Sequence, residues 1–78
     1  SRPDVPESVE GARVIFERWH AGITGLLVAD GFAPPRAERL ATLMVAAIEG
    51  AIVLCRARGD VAPLDDVAAE IDLLLDTR

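Results

Sequence analysis

The sequence predicts an all-α protein of three antiparallel helices whose apolar surface is shared with a second copy of the chain. Apolar residues recur at spacings of three and four along the chain, and no segment shows the alternation of a strand. Prolines and glycines separate the periodic segments by short connections, as is usual between antiparallel helices. The third observation is the stretch 40–55, where only Thr42, Glu49 and Gly50 interrupt an apolar run.

The first helix is predicted over about residues 6–29. Asp4 and Pro6 favour a helix start, and acidic residues follow where the helix dipole stabilises negative charge. Asp30 and Gly31 end the helix, and the Phe-Ala-Pro-Pro segment after them predicts a turn. The apolar stripe of this helix comprises Val9, Ala12, Phe16, Trp19, Ile23 and Leu27.

The second helix is predicted over about residues 35–58. Pro35 suits its first turn, where the missing N–H costs nothing, and Gly59 suits a left-handed cap. This helix is apolar nearly all round, so it must be covered on more than one side. A chain of this size buries only about 60% of its unfolded surface, which is too little to cover such a helix comfortably. Small residues around Gly50 let another helix approach closely, so we expect a second copy of the chain as the cover.

The third helix is predicted over about residues 63–76, after a turn marked by Asp60 and Pro63. Its apolar residues follow the i, i+3, i+4, i+7 pattern of a helix that buries one face. The stripe comprises Leu64, Val67, Ala68, Ile71, Leu74 and Leu75, and the other face is acidic. This amphipathic pattern predicts packing against the second helix.

Composition argues against several classes of partner and site. Eight arginines, no lysine and thirteen acidic residues give a net charge of −5, so no basic stripe exists to neutralise nucleic-acid phosphates. The single Cys55 excludes an internal disulfide and fits a reducing, cytoplasmic compartment.

The apolar run is shorter than the ~20 residues of a membrane-spanning helix and contains Glu49, so we expect no membrane partner. Met44 is the only methionine, which predicts that the chain is part of a longer protein.

The sequence offers few groups for chemistry. His20 is the only histidine and has no second ligand cluster, so we expect a partly exposed helix residue and neither metal nor cofactor. No Ser/His/Asp set, Cys/His pair or phosphate-binding glycine loop is present, so we expect no enzyme. Phe16 and Trp19 either fill the core, the simpler interpretation, or line a ligand pocket. Glu49 must find a partner or lie at a solvated edge, and the arginines at 39, 56 and 58 are possible partners across a dimer.

Several segments carry a resemblance to a known family. They are the aromatic-bearing first helix, the Gly-Phe/Pro turn, Arg-Leu-Ala-Thr-Leu at 39–43, Ala-Ala-Ile-Glu-Gly-Ala at 46–51, Leu54, Arg-Ala-Arg at 56–58, Asp60 and Pro-Leu at 63–64. Over about residues 8–76 the chain resembles the C-terminal half of a TetR-family transcriptional regulator. Within that family it is most similar to the branch of the LmrA-type multidrug-resistance repressors.

The resemblance implies a homodimer in which the last two helices form a four-helix bundle with the same helices of a second subunit. The interface residues are then Leu43, Ala47, Gly50, Ala51, Leu54, Val67, Ile71 and Leu74. It also implies a pocket for a small hydrophobic effector, whose binding shifts the subunits and lowers the affinity for operator DNA. The candidate wall residues are Phe16, Trp19, His20, Ile23 and Met44. Operator DNA is bound only through an N-terminal helix-turn-helix that has no counterpart in these residues.

Two other interpretations stay open at the level of the sequence. One is a small helical interaction module, unrelated to transcription, that docks a different protein through the same apolar surface. The other is a helical piece of a larger enzyme, which would require a catalytic set in the sequence before this segment. Self-association would favour the dimerisation and effector-sensing segment of a repressor over both.

Overall fold

The computed structural model describes the backbone of residues 4–76 and the side chains of residues 10–76. Within these residues the chain forms three α-helices and no strand, which confirms the all-α prediction. Helix α1 spans Asp4–Ala29, α2 spans Pro34–Arg58 and α3 spans Ala62–Leu75. These bounds lie within two residues of those predicted. The side chains of Asp4, Pro6 and Val9, on which part of the prediction for this helix rests, lie outside the described residues.

Helix α1 ends in a glycine-dependent cap that folds the chain back under the helix. The N–H of Gly31 donates to Val28 O at 3.0 Å, and the N–H of Phe32 donates to Leu27 O at 3.0 Å. This pair of bonds is the Schellman arrangement, and Gly31 adopts the positive φ of 108° that it needs. Phe32 and Leu27 are both buried in the same cluster, so the turn predicted from Asp30 and Gly31 also starts the core.

Helix α2 begins and ends as its sequence predicts. Prolines occupy its first turn, and Gly59 caps its end in the left-handed conformation with φ 78°. The Gly59 N–H donates to Cys55 O at 2.8 Å, which satisfies one of the carbonyl groups that a helix end leaves without a partner. Arg56 and Arg58 lie in the last turn, where positive charge is favoured by the helix dipole.

The Gly59→Ala variant should test this cap. No atom lies within 4 Å of a Cβ built on Gly59, so the expected loss of about 1 kcal/mol in the free energy of unfolding comes from the backbone alone. Gly25→Ala is the matched control, because it fills equally open space in the interior of α1 and should instead stabilise by about 1 kcal/mol. Urea denaturation of both variants at one protein concentration measures the two changes in the free energy of unfolding. If both changes had the same sign, the left-handed cap at Gly59 would be contradicted.

The three helices lie in one flat layer. α2 occupies the middle and contacts α1 on one side and α3 on the other, whereas the backbones of α1 and α3 lie apart over the described residues. The Cα atoms extend over 48 × 30 × 13 Å, so the layer is much thinner than it is long or wide. The radius of gyration is 14.8 Å, against about 11.5 Å for a compact domain of this length. Both broad sides of α2 are therefore open.

A small core holds the layer together at the end that contains the α1–α2 turn. Its buried cluster consists of Leu27, Phe32, Ala37 and Leu40, with Ile23, Met44, Leu74 and Leu75 packed against it. The end of α3 thus returns to the first half of α2, as expected of antiparallel neighbours. Elsewhere large apolar side chains stay in solvent, among them Leu26 at 72% and Val53 at 63% exposure. One layer cannot bury both faces of so apolar a central helix.

Candidate functional site

Helix α2 presents two opposite apolar faces. At 100° per residue, one face carries Leu43, Ala46, Ala47, Gly50 and Leu54 and is called the Leu43 face here. The opposite face carries Met44, Val45 and Ile48 and is called the Ile48 face. α1 and α3 cover the two remaining sides of the helix. The candidate site residues can therefore be placed on one face or the other.

The Leu43 face and α3 form an apolar groove of about 270 Å³. It is lined by Leu43, Ala47, Val67, Ile71 and Leu74, together with the acidic side chains of Asp66 and Glu70. Five of the eight residues expected at a subunit interface therefore share one surface. Leu54 lies farther along the same face of α2 and is half exposed, as is Leu43. Apolar residues form the floor of this surface and charged residues lie beside it, which resembles the apolar core and polar rim of a protein–protein interface.

Gly50 lies on the Leu43 face between these leucines, and no contact among the described residues requires a glycine there. No atom comes within 4 Å of a Cβ built on it. A glycine in a helix interior is about 1 kcal/mol less favourable than alanine. The packing of the described residues does not compensate that cost. A second helix backbone packed closely against the Leu43 face would compensate it.

Ala51 differs from the other predicted interface residues. It is only 1% exposed, because it lies 100° around the helix from Gly50 and faces the interior of the layer. Its methyl group is covered within one chain and has no surface to offer a second copy. Ala51 is therefore the one predicted interface residue whose side chain does not reach the surface of the described chain.

The predicted pocket residues are distributed over three grooves. Phe16 and His20 line a groove of about 290 Å³ between α1 and α2, called the Glu49 groove here, with Thr42, Val45, Ala46 and Glu49. Trp19 and Ile23 line a groove of about 680 Å³ with Arg18, Gly22, Leu26, Val45 and Ile48. Met44 lines a third groove with residues of α3. Helical spacing alone did not separate the four residues on α1, because they lie within one broad stripe of that helix, and Met44 lies on α2.

Phe16 and Trp19 do not fill the core of this chain, contrary to the simpler sequence interpretation. They are 41% and 48% exposed. Their rings meet edge to face with centroids 6.2 Å apart, a favourable aromatic geometry. They stay exposed because α2 covers only one side of α1 and no further helix of the described residues lies over it. The aromatic pair is thus available to a ligand or to another part of the protein.

His20 joins α1 to α2 through its imidazole ring. Its Nε2 lies 2.9 Å from Glu38 O and 3.0 Å from Thr42 Oγ1. A carbonyl oxygen only accepts, so Nε2 carries a hydrogen and donates it. Thr42 Oγ1 in turn donates to Glu38 O at 3.1 Å. His20 is half-buried, as expected. Its bridge to Glu38 and Thr42, which lie 18 and 22 positions later in the chain, could not be predicted from the spacing of residues in the sequence.

Glu49 is half-buried in the middle of the apolar helix. Among the side chains of residues 10–76 it forms no hydrogen bond or ion pair, so none of the arginines considered as partners reaches it within one chain. Arg13 of α1 is engaged elsewhere, with Glu10 and Glu17 on its own helix. The Glu10 hydrogen bond and then the Glu17 charge raise the pKa of Arg13. A carboxylate thus lines the groove beside Phe16 without a cation from the described chain.

Comparison with known proteins places this layer in a family. Residues 3–70 match the family described as the transcriptional regulator LmrA/YxaF-like C-terminal domain. An uncharacterized HTH-type transcriptional regulator of Mycobacterium tuberculosis (strain H37Rv) is 42% identical over 64 residues, which are 82% of this chain and 33% of that protein. The uncharacterized HTH-type transcriptional regulator YxaF of Bacillus subtilis (strain 168) is 36% identical over 61 residues, 78% of this chain and 32% of that protein.

The chain therefore spans about a third of the length of the curated relatives that it matches. No solved structure matches it. The match extends through all of α1 and α2 and into α3, so it covers both the Leu43 face and the Glu49 groove. This chain belongs to the TetR family of transcriptional regulators, as an LmrA/YxaF-like C-terminal domain.

Proposed function

We propose that this chain is the dimerisation and effector-sensing segment of a cytoplasmic TetR-type repressor and that it has no enzymatic activity. In this proposal α2 and α3 hold two subunits together through the Leu43 face, and α1 with α2 supplies part of an effector site. Operator DNA is bound by a helix-turn-helix in another part of the protein. Relatives named as HTH-type transcriptional regulators, each about three times the matched length, support this division.

The observation that carries the proposal is the surface that one chain leaves exposed. The chain exposes 5545 Å², whereas a compact monomer of 8.3 kDa is expected to expose about 4,600 Å². The excess of roughly 900 Å² is close to the roughly 800 Å² that each partner contributes to a stable interface of standard size. A second copy on one open face of the layer would therefore bring the chain to an ordinary exposed area.

Two features favour the Leu43 face over the Ile48 face for this contact. Gly50 and the neighbouring alanines allow close approach of a helix backbone, whereas the Ile48 face carries larger side chains. In a two-fold pairing of antiparallel α2 helices around Gly50, position 43 lies opposite about position 57 of the partner. The partner subunit's Arg56 and Arg58 then approach Asp66 and Glu70 beside the groove, so the charges are complementary.

Helix α2 is also the helix of the described chain that is long and apolar enough to cross a membrane, by length and composition. The central helix of a water-soluble domain meets the same criterion. Glu49 in its middle and the arginines at both ends favour a protein cover over a lipid one. We therefore assign the exposed apolar surface to contact between copies of the protein.

Sedimentation equilibrium over a wide concentration range tests the dimer. We expect a molar mass of twice 8.3 kDa that persists to low concentration, because the Leu43 face of each chain is covered by the other. Mixing tagged and untagged copies is the control: self-association yields a mixed dimer, and docking of an unrelated protein does not. A stable, folded monomer at all concentrations would contradict the proposed function.

A further inference from the structure

We infer that the Glu49 groove binds an apolar organic cation, of the class of an aromatic ring carried on a short alkylammonium chain. The inference rests on the proposed function and deepens it, because it gives the chemical class of the effector. It is drawn from the charges and hydrogen-bonding groups that line the groove.

Glu49 supplies the charge that a cation would meet. The carboxylate is half-buried beside an aromatic ring and forms no hydrogen bond or ion pair with any side chain of residues 10–76. A carboxylate in such surroundings meets a cation or is solvated at the open side of the groove. In the proposed two-fold pairing around Gly50, the nearest arginine of the partner, Arg56, lies opposite about position 44, roughly 8 Å along the helix from Glu49. The proposed pairing therefore sets no arginine directly opposite the carboxylate.

The polar groups around Glu49 are also acceptors. His20 donates its Nε2 hydrogen to Glu38 O and Thr42 Oγ1, so Nδ1 is the remaining polar atom of the ring and accepts whenever the ring is neutral. The Thr42 hydroxyl hydrogen is already donated to Glu38 O. No arginine lines the groove among the described residues. An ammonium group, with three donors, fits this set, whereas a carboxylate or phosphate would find no partner.

The remaining lining of the groove fits an apolar body. Phe16, Val45 and Ala46 supply its carbon surface, and the half-exposed Phe16 ring can stack on an aromatic ligand or face its charge. The volume is about 290 Å³, close to twice the roughly 150 Å³ cavity that holds benzene. A single ring with a two-carbon ammonium chain fits within it.

The groove also borders the proposed subunit contact. Ala46 lines it and lies only 40° around α2 from Gly50 on the Leu43 face. Glu49 precedes Gly50 in the chain. A ligand between α1 and α2 at this level therefore acts on the same turn of helix against which the second subunit packs, so binding and dimer geometry are coupled.

Three ligands of matched shape test the inference on the 78-residue chain: 2-phenylethylammonium, 2-phenylethanol and 3-phenylpropionate. Binding is followed by calorimetry and by the fluorescence of Trp19, whose ring contacts Phe16. We expect the ammonium to bind about tenfold more tightly than the alcohol, as for a charge-assisted hydrogen bond in a partly buried site. The carboxylate should bind most weakly.

Two variants locate the effect. Glu49→Gln should abolish the preference for the ammonium and leave the binding of the alcohol nearly unchanged. Glu38→Gln is the matched control, because it removes the same charge from an exposed side chain of α2 that does not line the groove. It should retain the preference, since His20 contacts only the backbone oxygen of Glu38.

The molar mass measured in the same samples separates this inference from the proposed function. A dimer that binds none of the three ligands, binds them equally or keeps its preference in Glu49→Gln would overturn the effector class and leave the proposed dimer standing. A monomer that binds the ammonium most tightly, and loses that preference in Glu49→Gln, would support the cation site in the Glu49 groove and contradict the proposed dimer.

Discussion

Gly50→Leu is expected to convert the dimer into folded monomers. In a two-fold pairing around Gly50 the new side chain enters the interface twice, once from each subunit, and forces the two α2 helices apart. Overpacking of a well-packed contact typically costs about 1 to 3 kcal/mol for each insertion. The dissociation constant of the dimer should therefore rise at least about 25-fold. Sedimentation equilibrium of the variant over the same concentration range as the parent chain measures the change.

The same substitution should not damage the individual chain. Nothing lies within 4 Å of a Cβ at Gly50, and leucine has a higher helix propensity than glycine. Gly25→Leu is the matched control, since it makes the same change in equally open space on α1, away from both faces of α2. It should remain dimeric. An unchanged dimer for Gly50→Leu would place the subunit contact elsewhere, and a loss of the dimer in both variants would show a general effect of added bulk.

The helices and their ends could be read from the sequence because local chemistry determines them. Gly31 and Gly59 follow the last periodic residues, and both adopt the positive φ that only glycine takes easily. Apolar residues at spacings of three and four fixed the helical period. Family membership followed from short segments of α2 and of the turn after it. None of these features depends on contacts between distant parts of the chain.

The arrangement of the site depended on such contacts and could not be read in the same way. Periodicity places Phe16 and Trp19 on one stripe, but the packing of α1 against α2 leaves them lining different grooves. The His20 bridge joins residues 18 and 22 positions apart. Ala51 and Gly50 are neighbours in the chain, yet one is buried and the other is exposed. Only the position of the third helix decides which of them meets solvent.

Phe32→Ala is expected to cause the largest loss of stability in the chain. Phe32 is 4% exposed and packs with Leu27 and Leu40 at the one place where all three helices meet. Truncation of a buried phenylalanine costs about 3 to 5 kcal/mol, through lost burial and the cavity that remains. That loss is a large part of the 5 kcal/mol or so that holds a small domain together. Urea denaturation followed by circular dichroism should show a strongly lowered midpoint.

Phe16→Ala provides the comparison, because it makes the same chemical change at a ring that is 41% exposed. Its loss should stay below about 1 kcal/mol, since little apolar surface leaves a buried site. Both variants must be measured at one protein concentration, because a dimer's apparent stability depends on it. If Phe16→Ala costs as much as Phe32→Ala, the open side of α1 is covered by the second subunit, and the Glu49 groove would then belong to the subunit contact. If only Phe32→Ala is costly, the groove stays open in the dimer and the ligand has access to it.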